Sequence, residues 1–220
     1  MECDNKAGAA EGSDQIYRLK NGLTVYHLNK YETEFSCKEI FEESTYLKHG
    51  ISLADNACIF DVGANIGLFA IFAKQLCPDA KIFAFEPAPE VFRLLQLNVA
   101  KYGSDVQVYQ CGLSDKECVT NYTYYPHYSI MSGFHADFEE DNQALCAGVR
   151  NQIGKSLPPG SSVASDRIVE VLVKDKLNDA RQSQCRLSTV STVLRDAGID
   201  RINLLKVDAE RSELEILDGV

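Results

Sequence analysis

No apolar run in this sequence approaches the roughly 20 residues of a membrane-spanning helix, which argues against a helical membrane protein. Residues 1–15 have neither the basic start nor the apolar centre of a secretory signal, and their composition predicts a flexible lead-in or linker. Basic residues are in deficit: 22 Lys and Arg stand against 32 Asp and Glu, a net charge of −10, which disfavours a nucleic-acid backbone as partner. None of the eight cysteines pairs with another in Cys-x-x-Cys spacing, so neither a zinc ribbon nor a dithiol redox site is indicated. Several of them (Cys58, Cys77, Cys111) fall inside apolar runs, as reduced, buried thiols of a cytoplasmic protein do. What remains is 220 residues with 45% hydrophobic and 25% charged content, enough for one globular domain with a substantial core.

The most informative segment is Cys58–Gly67, CIFDVGANIG. A short apolar run ends in Asp61, a glycine-bearing turn follows, and Leu68 to Leu76 reads as an apolar helix. That is a buried strand, a tight turn and a helix start, the layout of a nucleotide-binding α/β unit. The next strand, 81–85, closes on a second acid, Glu86. A dinucleotide site requires Gly-x-Gly-x-x-Gly so that the backbone can approach a pyrophosphate. Here Asn65 stands where the middle glycine belongs, and the spacing is Gly63-x-x-x-Gly67. The pattern suits a phosphate-free, adenosine-bearing, cationic cofactor, S-adenosylmethionine. Gly63 turns the chain in a conformation closed to other residues, and Gly67 permits close packing at the helix start. Asp61 is expected to attract the cofactor's ammonium or sulfonium, and Glu86 to accept from both ribose hydroxyls.

Elsewhere the chain alternates strands and helices. Residues 16–28 predict a hairpin around Asn21-Gly22, and 32–48 a helix; together 16–50 are expected to cover the cofactor side of the domain. Strands at 58–62, 81–85 and 106–111 alternate with helices at 66–77 and 89–102, the second stopped by Gly103. This βαβαβ order implies a mostly parallel, Rossmann-like sheet with helices on both faces. Leu113 and Ser114, after the third strand, are expected beside the adenine ring. Residues 119–187 interrupt the alternation as an insertion, with irregular chain around Tyr122–Pro126, a short helix near 136–150, a loop at 157–162, and strands at 168–173 and 184–187. An insertion so long and so rich in aromatics at its start is expected to form a lid over the substrate. A helix at 188–197 and a strand at 202–207 complete the pattern, the strand ending in Asp208-Ala209-Glu210.

DVGANIG, then FAFEP, then LLKVDAERSELEILDGV, in that order and spacing, resembles the FkbM-type methyltransferases. The resemblance covers residues 16–220 and implies a class I methyltransferase fold, S-adenosylmethionine as cofactor, and methylation of a hydroxyl. Glu34-Phe35, Tyr46-Leu47-Lys48-His49-Gly50, Tyr124-Tyr125-Pro126 and Met131-Ser132-Gly133 are similar to the version embedded in polyketide and nonribosomal peptide synthases. That version implies a small-molecule or carrier-protein-bound acyl or peptidyl acceptor, and covalent membership of a multidomain synthase. Many family members have Glu-Gly where this chain has Glu210-Arg211. By resemblance Asp61, Gly63, Asn65, Gly67 and Glu86 line the cofactor, and Lys206, Asp208, Glu210 and Glu213 lie near the reacting end. A class I sheet has seven strands and only about four central ones are countable here, so the chain is expected to be C-terminally incomplete and, alone, poorly soluble or inactive.

An alcohol acceptor needs a base. Asp208, at a strand's carboxyl end, is the best-placed candidate, with Lys206 to hold the acid or neutralise charge; His49 and His127 are the histidine candidates, His135 a weaker one. No adequate ligand set for a metal is present. Two other readings compete: an NAD(P)-dependent oxidoreductase, which Asn65 argues against, and a non-catalytic docking domain of a synthase.

Overall fold

The computed structural model describes residues 15–102, 105–156 and 166–220. Expectations for residues 1–14, for the helix stop at Gly103 and for the 157–162 loop lie outside the described residues. The chain begins with a hairpin, β1 (Gln15–Arg18) and β2 (Thr24–His27), paired antiparallel about a turn at Asn21-Gly22. Gly22 has φ +90°, the left-handed conformation such a turn requires. The hairpin is docked on the central domain by Asn98, which accepts from Tyr26 N at 2.8 Å and donates to Tyr26 O and Ile66 O, each at 2.9 Å.

A helix follows, but not the single one predicted over 32–48. Helix α1 (Lys30–Cys37) is capped by Asn29, whose side chain accepts from Glu32 N, and runs into a π-helical turn, Lys38–Glu42. After a left-handed Ser44 comes a short 3₁₀ turn, Thr45–Leu47. The widened turn is local to a wall of the cavity described below, a common setting for π-bulges.

The central sheet holds four parallel strands in the order β5-β4-β3-β9, with β3 (Cys58–Val62), β4 (Lys81–Phe85), β5 (Val106–Tyr109) and β9 (Leu204–Val207). Alternation across the pleat sorts the side chains into two cores. Ile59, Ile82 and Ala84 face helices α2 (Leu68–Leu76) and α3 (Pro89–Tyr102). Phe60, Val62, Phe83 and Phe85 face the opposite side, against Val190 and Val193 of α6 (Val190–Ala197) and Ile216 of α7 (Glu213–Asp218). The sheet therefore has helices on both faces, as expected of a Rossmann-like α/β domain. In the registered pairs, Asp61 of β3 lies opposite Lys206 of β9.

The 119–187 region is more regular than expected. β6 (Gly112–Leu113), β7 (Cys118–Tyr124) and β8 (Arg181–Ser188) form a second sheet in the order β6-β8-β7, so Tyr122–Tyr124 lie in a strand. Between β7 and β8 stands a helical hairpin, α4 (Phe138–Ser156) and α5 (Asp166–Leu177). The strand expected at 168–173 is thus helical. Its β-branched residues suggested a strand, but Val169, Val173 and Leu177, four apart, bury one helix face in a cluster with Tyr125 and Cys146. Tertiary packing overrides local propensity here. No helix among the described residues is long and apolar enough to cross a membrane. The seven described cysteines are free thiols.

Candidate active site

A cavity of about 180 Å³ opens at the carboxyl ends of β3, β4 and β9, far larger than the ~10–15 Å³ that one water needs. Its floor is the turn after β3. Gly63 has φ +71°, and a Cβ there would lie 1.9 Å from Asp208 O, so only glycine fits between the ends of β3 and β9. Asn65 also adopts a left-handed conformation, φ +49°, which asparagine tolerates better than most residues. At Gly67, φ +88°, a Cβ would lie 2.7 Å from Leu95 Cδ1; this glycine serves the packing of α2 on α3 and is not among the residues lining the cavity.

Every backbone N–H of the turn is already engaged. Gly63 N and Ala64 N donate to Phe85 O at 3.1 and 2.9 Å, and Gly67 N to Ala64 O at 2.9 Å. Asn65 N donates to Glu86 Oε2 at 3.0 Å, and Ile66 N to Asn65 Oδ1 at 2.7 Å. A pyrophosphate would find none of the donors that a dinucleotide turn presents.

Glu86 lines the cavity from the end of β4. It is 5% exposed, and Oε1 accepts from Ala88 N at 3.0 Å. Burial pushes its carboxyl up to about 7, against the opposing pull of the Ala88 and Asn65 N–H groups and of Lys206. Each carboxylate oxygen retains a lone pair for a ligand hydroxyl. Asp61 behaves differently. It is fully buried and absent from the cavity wall. Lys206 Nζ covers it at 2.9 Å and donates to Gly63 O at 2.8 Å. The Asp61–Lys206 contact is a buried ion pair. Burial raises the Asp61 carboxyl while Lys206 opposes the rise.

At the far side stand Asp208, Glu210, Glu39 and Tyr46, all lining the cavity. The Tyr46 hydroxyl donates to Asp208 Oδ2 at 2.5 Å, and Lys206 Nζ lies 3.8 Å from the same oxygen. Burial, with Asp208 adding to it, raises both the Glu39 carboxyl and the Tyr46 phenol. Among the described residues the charged wall is thus Glu39, Glu86, Asp208 and Glu210 against Lys206 alone. The apolar wall includes Phe85, Leu113, Tyr122 and Phe134. Phe134 packs on Gly112, where a Cβ would lie 2.6 Å from its ring.

The segment after β7 forms one side of the cavity through Ser129, Ile130, Ser132, Gly133 and Phe134. Glu32 of α1 latches it, accepting from Ser129 N at 2.8 Å and Ser129 Oγ at 2.5 Å. Arg211 ties it to the β9 end: its guanidinium donates to His135 O at 3.1 Å and pairs with Asp141 at 2.8 Å and Glu140 at 3.3 Å. Arg211 holds φ +62°, a left-handed conformation uncommon for residues other than glycine.

The expected residues therefore separate. Gly63, Asn65, Glu86, Leu113, Lys206 and Asp208 converge on the cavity. Asp61 and Gly67 lie behind its wall, and Ser114 is buried away from it, donating to Asp115 Oδ1 and Glu215 Oε2. His49 is exposed with φ +59° and lines no cavity. His127 pairs with Asp179 at 2.9 Å on the surface, His135 with Glu215 at 3.1 Å, and Glu213 is exposed on α7. None of these histidines is among the residues lining the cavity. Among the described residues no group of three or more His, Cys, Asp or Glu side chains is arranged to hold a metal ion. Glu39 and Tyr46 went unread; both precede the strand pattern, and only the phrase Tyr46–Gly50 hinted at the second.

The family model for the methyltransferase FkbM domain matches residues 61–220. The chain is 37% identical over 207 residues to the 31-O-demethyl-FK506 methyltransferase FkbM of Streptomyces tacrolimicus, covering 94% of this chain and 75% of that one. It is 36% identical over 208 residues to methyltransferase sdnD of Sordaria araneosa, covering 90% of this chain and 73% of that one. It is 38% identical over 204 residues to the AMB antimetabolite synthetase AmbE of Pseudomonas aeruginosa, covering 92% of this chain but only 9% of AmbE.

Proposed function

The chain belongs to the FkbM methyltransferase family, and from that premise we propose that its cavity binds S-adenosylmethionine and directs the methyl group to a hydroxyl. The carrying observation is the turn. Its five N–H groups are spent inside the protein and the cavity wall is predominantly acidic. That combination repels a diphosphate and favours a donor that carries positive charge and no phosphate. The residues present fit such a donor. Glu86 would hold the ribose hydroxyls, Phe85, Leu113 and Phe134 would enclose the adenine, and the acidic far end would receive the ammonium and sulfonium groups of the methionine part. The cofactor, when bound, supplies an electrophilic methyl group on a good leaving group.

The protein's own part is alignment and exclusion of water. Ser129–Phe134 close one side of the cavity, held by Glu32 and Arg211. At the open end Asp208, Glu39 and Glu210 would disfavour an acceptor that is itself an anion, which supports a neutral alcohol over a carboxylate. Asp208 is the base such an alcohol requires, and Lys206 sits close enough to keep its charge balanced. The motifs similar to the synthase-embedded version, with the likeness to a synthetase, AmbE, support an acceptor drawn from polyketide or peptide intermediates, free or carried on another protein, with the domain working inside a larger synthase.

Isothermal calorimetry tests the reading. S-adenosylmethionine and S-adenosylhomocysteine are expected to bind at micromolar level and NAD not at all. Binding of NAD in preference to both would overturn it and restore the oxidoreductase alternative.

A further inference from the structure

Tyr46 sits on the cavity wall in the 3₁₀ turn after the π-helical segment, 162 residues from the carboxylate it touches. Its ring meets Phe69 edge-on, with centroids 5.3 Å apart, and Lys206 Nζ lies 5.3 Å from the ring centroid. Its hydroxyl donates to Asp208 Oδ2 at 2.5 Å. Burial and the neighbouring Asp208 both hold the phenol protonated, so it is a standing donor.

Asp208 has two competing neighbours. Lys206 Nζ is 3.8 Å from Oδ2, beyond hydrogen-bond distance, and is already committed to Asp61 and Gly63 O. The lysine therefore does not hold the carboxylate in place. The Tyr46 hydroxyl supplies the anchor. It fixes Oδ2 and leaves Oδ1 without a hydrogen bond among the described residues, directed by the fixed geometry of the group.

We propose that Tyr46 is a positioning residue for the acceptor end of the site: it pins one oxygen of Asp208 so that the other is presented to the acceptor hydroxyl. The inference rests on the donor-binding reading above. In the step it serves, Asp208 takes the proton that the acceptor oxygen loses as that oxygen bonds to the methyl carbon. The sulfur keeps the electron pair of the broken bond, and the aspartic acid then passes its proton to water. The arrangement suits a neutral alcohol, whose proton must be removed, better than a phenolate or carboxylate, which has none to give.

The test needs no acceptor. Sinefungin, an amine analogue of the donor, places a protonated nitrogen where the sulfonium methyl would stand, while S-adenosylhomocysteine places nothing there. The ratio of their affinities therefore reads the carboxylate facing that point, and a change in the general shape of the cavity moves both affinities together. Wild-type protein is expected to prefer sinefungin about tenfold or more. Asp208→Asn should bring the ratio near one. Tyr46→Phe, which keeps the ring packed on Phe69, should lower the ratio by about three- to tenfold. A Tyr46→Phe ratio equal to wild type overturns the inference, as does an Asp208→Asn ratio equal to wild type; the second variant alters a half-exposed side chain and reads the same pair if the first fails to fold. Failure of wild-type protein to bind either compound would instead defeat the donor-binding reading itself.

Discussion

The ends of β3 and β4 look alike in sequence and differ in the folded protein. Each is a buried apolar strand closing in an acid, Asp61 at one and Glu86 just past the other, on adjacent strands of one parallel sheet. Glu86 faces the cavity and spends its hydrogen bonds on the turn, holding Asn65 N and Ala88 N. Asp61 faces Lys206, which arrives from β9 and covers it completely. One acid lines the cavity; the other is the counter-ion that holds a lysine at the cavity wall. The same strand-end position thus faces the cavity in one case and an internal charge in the other, and the deciding factor is which strand lies alongside.

The largest effect that would sharpen this contrast is at Lys206. Lys206→Met leaves Asp61 buried without a counter-charge, and the expected loss is about 3–5 kcal/mol of stability, measured by denaturant unfolding. The double variant Asp61→Asn/Lys206→Met should recover most of it, because both buried charges are then gone. If Lys206→Met unfolds like wild type, the pair does not hold the β3 and β9 ends together.

Next in size is Glu86→Ala. Two hydrogen bonds to a charged acceptor are worth about 1.5–3 kcal/mol each, so donor affinity should fall at least tenfold by calorimetry, and the melting temperature should fall too because Asn65 N and Ala88 N lose their acceptor. Asp61→Asn should lower the melting temperature with a smaller change in affinity. Equal loss of affinity in the two variants would erase the distinction drawn between them.

The same contrast has a pH signature. Glu86 is raised to about 7 from an ordinary 4.5, so between those values the folded protein binds the extra proton and the unfolded chain does not. The stability that this proton provides is fully present below pH ~4.5 and is lost as pH rises toward 7. Glu86→Gln should flatten that part of the stability profile. Ligand hydroxyls donate to the ionised form, so affinity for S-adenosylhomocysteine should rise as pH passes through about 7 in wild type and stay level in Glu86→Gln. The smallest expected effects are at His49 and His127. Replacing either with alanine should leave donor affinity within about twofold and stability within about 0.5 kcal/mol.

The floor of the cavity was legible because it is local. Strand, glycine turn, helix start and the acid on the next strand all fall between Cys58 and Glu86, and spacing alone assembles them. The Asp61–Lys206 pair was not, because its partners stand far apart in the chain and meet only through the strand order β3-β9. Knowing that order would have exposed it, since the two residues are registered neighbours. The α5 helix was misread as a strand for a related reason: Ile168–Val173 favour a strand locally, and only the partner helix α4 decides otherwise. The Arg211 departure from Glu-Gly was visible, but its reason was not. A left-handed residue tied to the start of α4 requires the fold of the insertion, which no local pattern conveys. Tyr46 and Glu39 belong to the same class, placed by a π-turn that sequence periodicity does not register.

The most direct test of the contrast between the two acids is a crystal structure with S-adenosylhomocysteine bound. The account predicts both ribose hydroxyls within hydrogen-bond distance of the Glu86 carboxylate, with Lys206 still seated on Asp61. A structure in which the ligand's ammonium displaces Lys206 and bonds to Asp61, with Glu86 untouched, would contradict it.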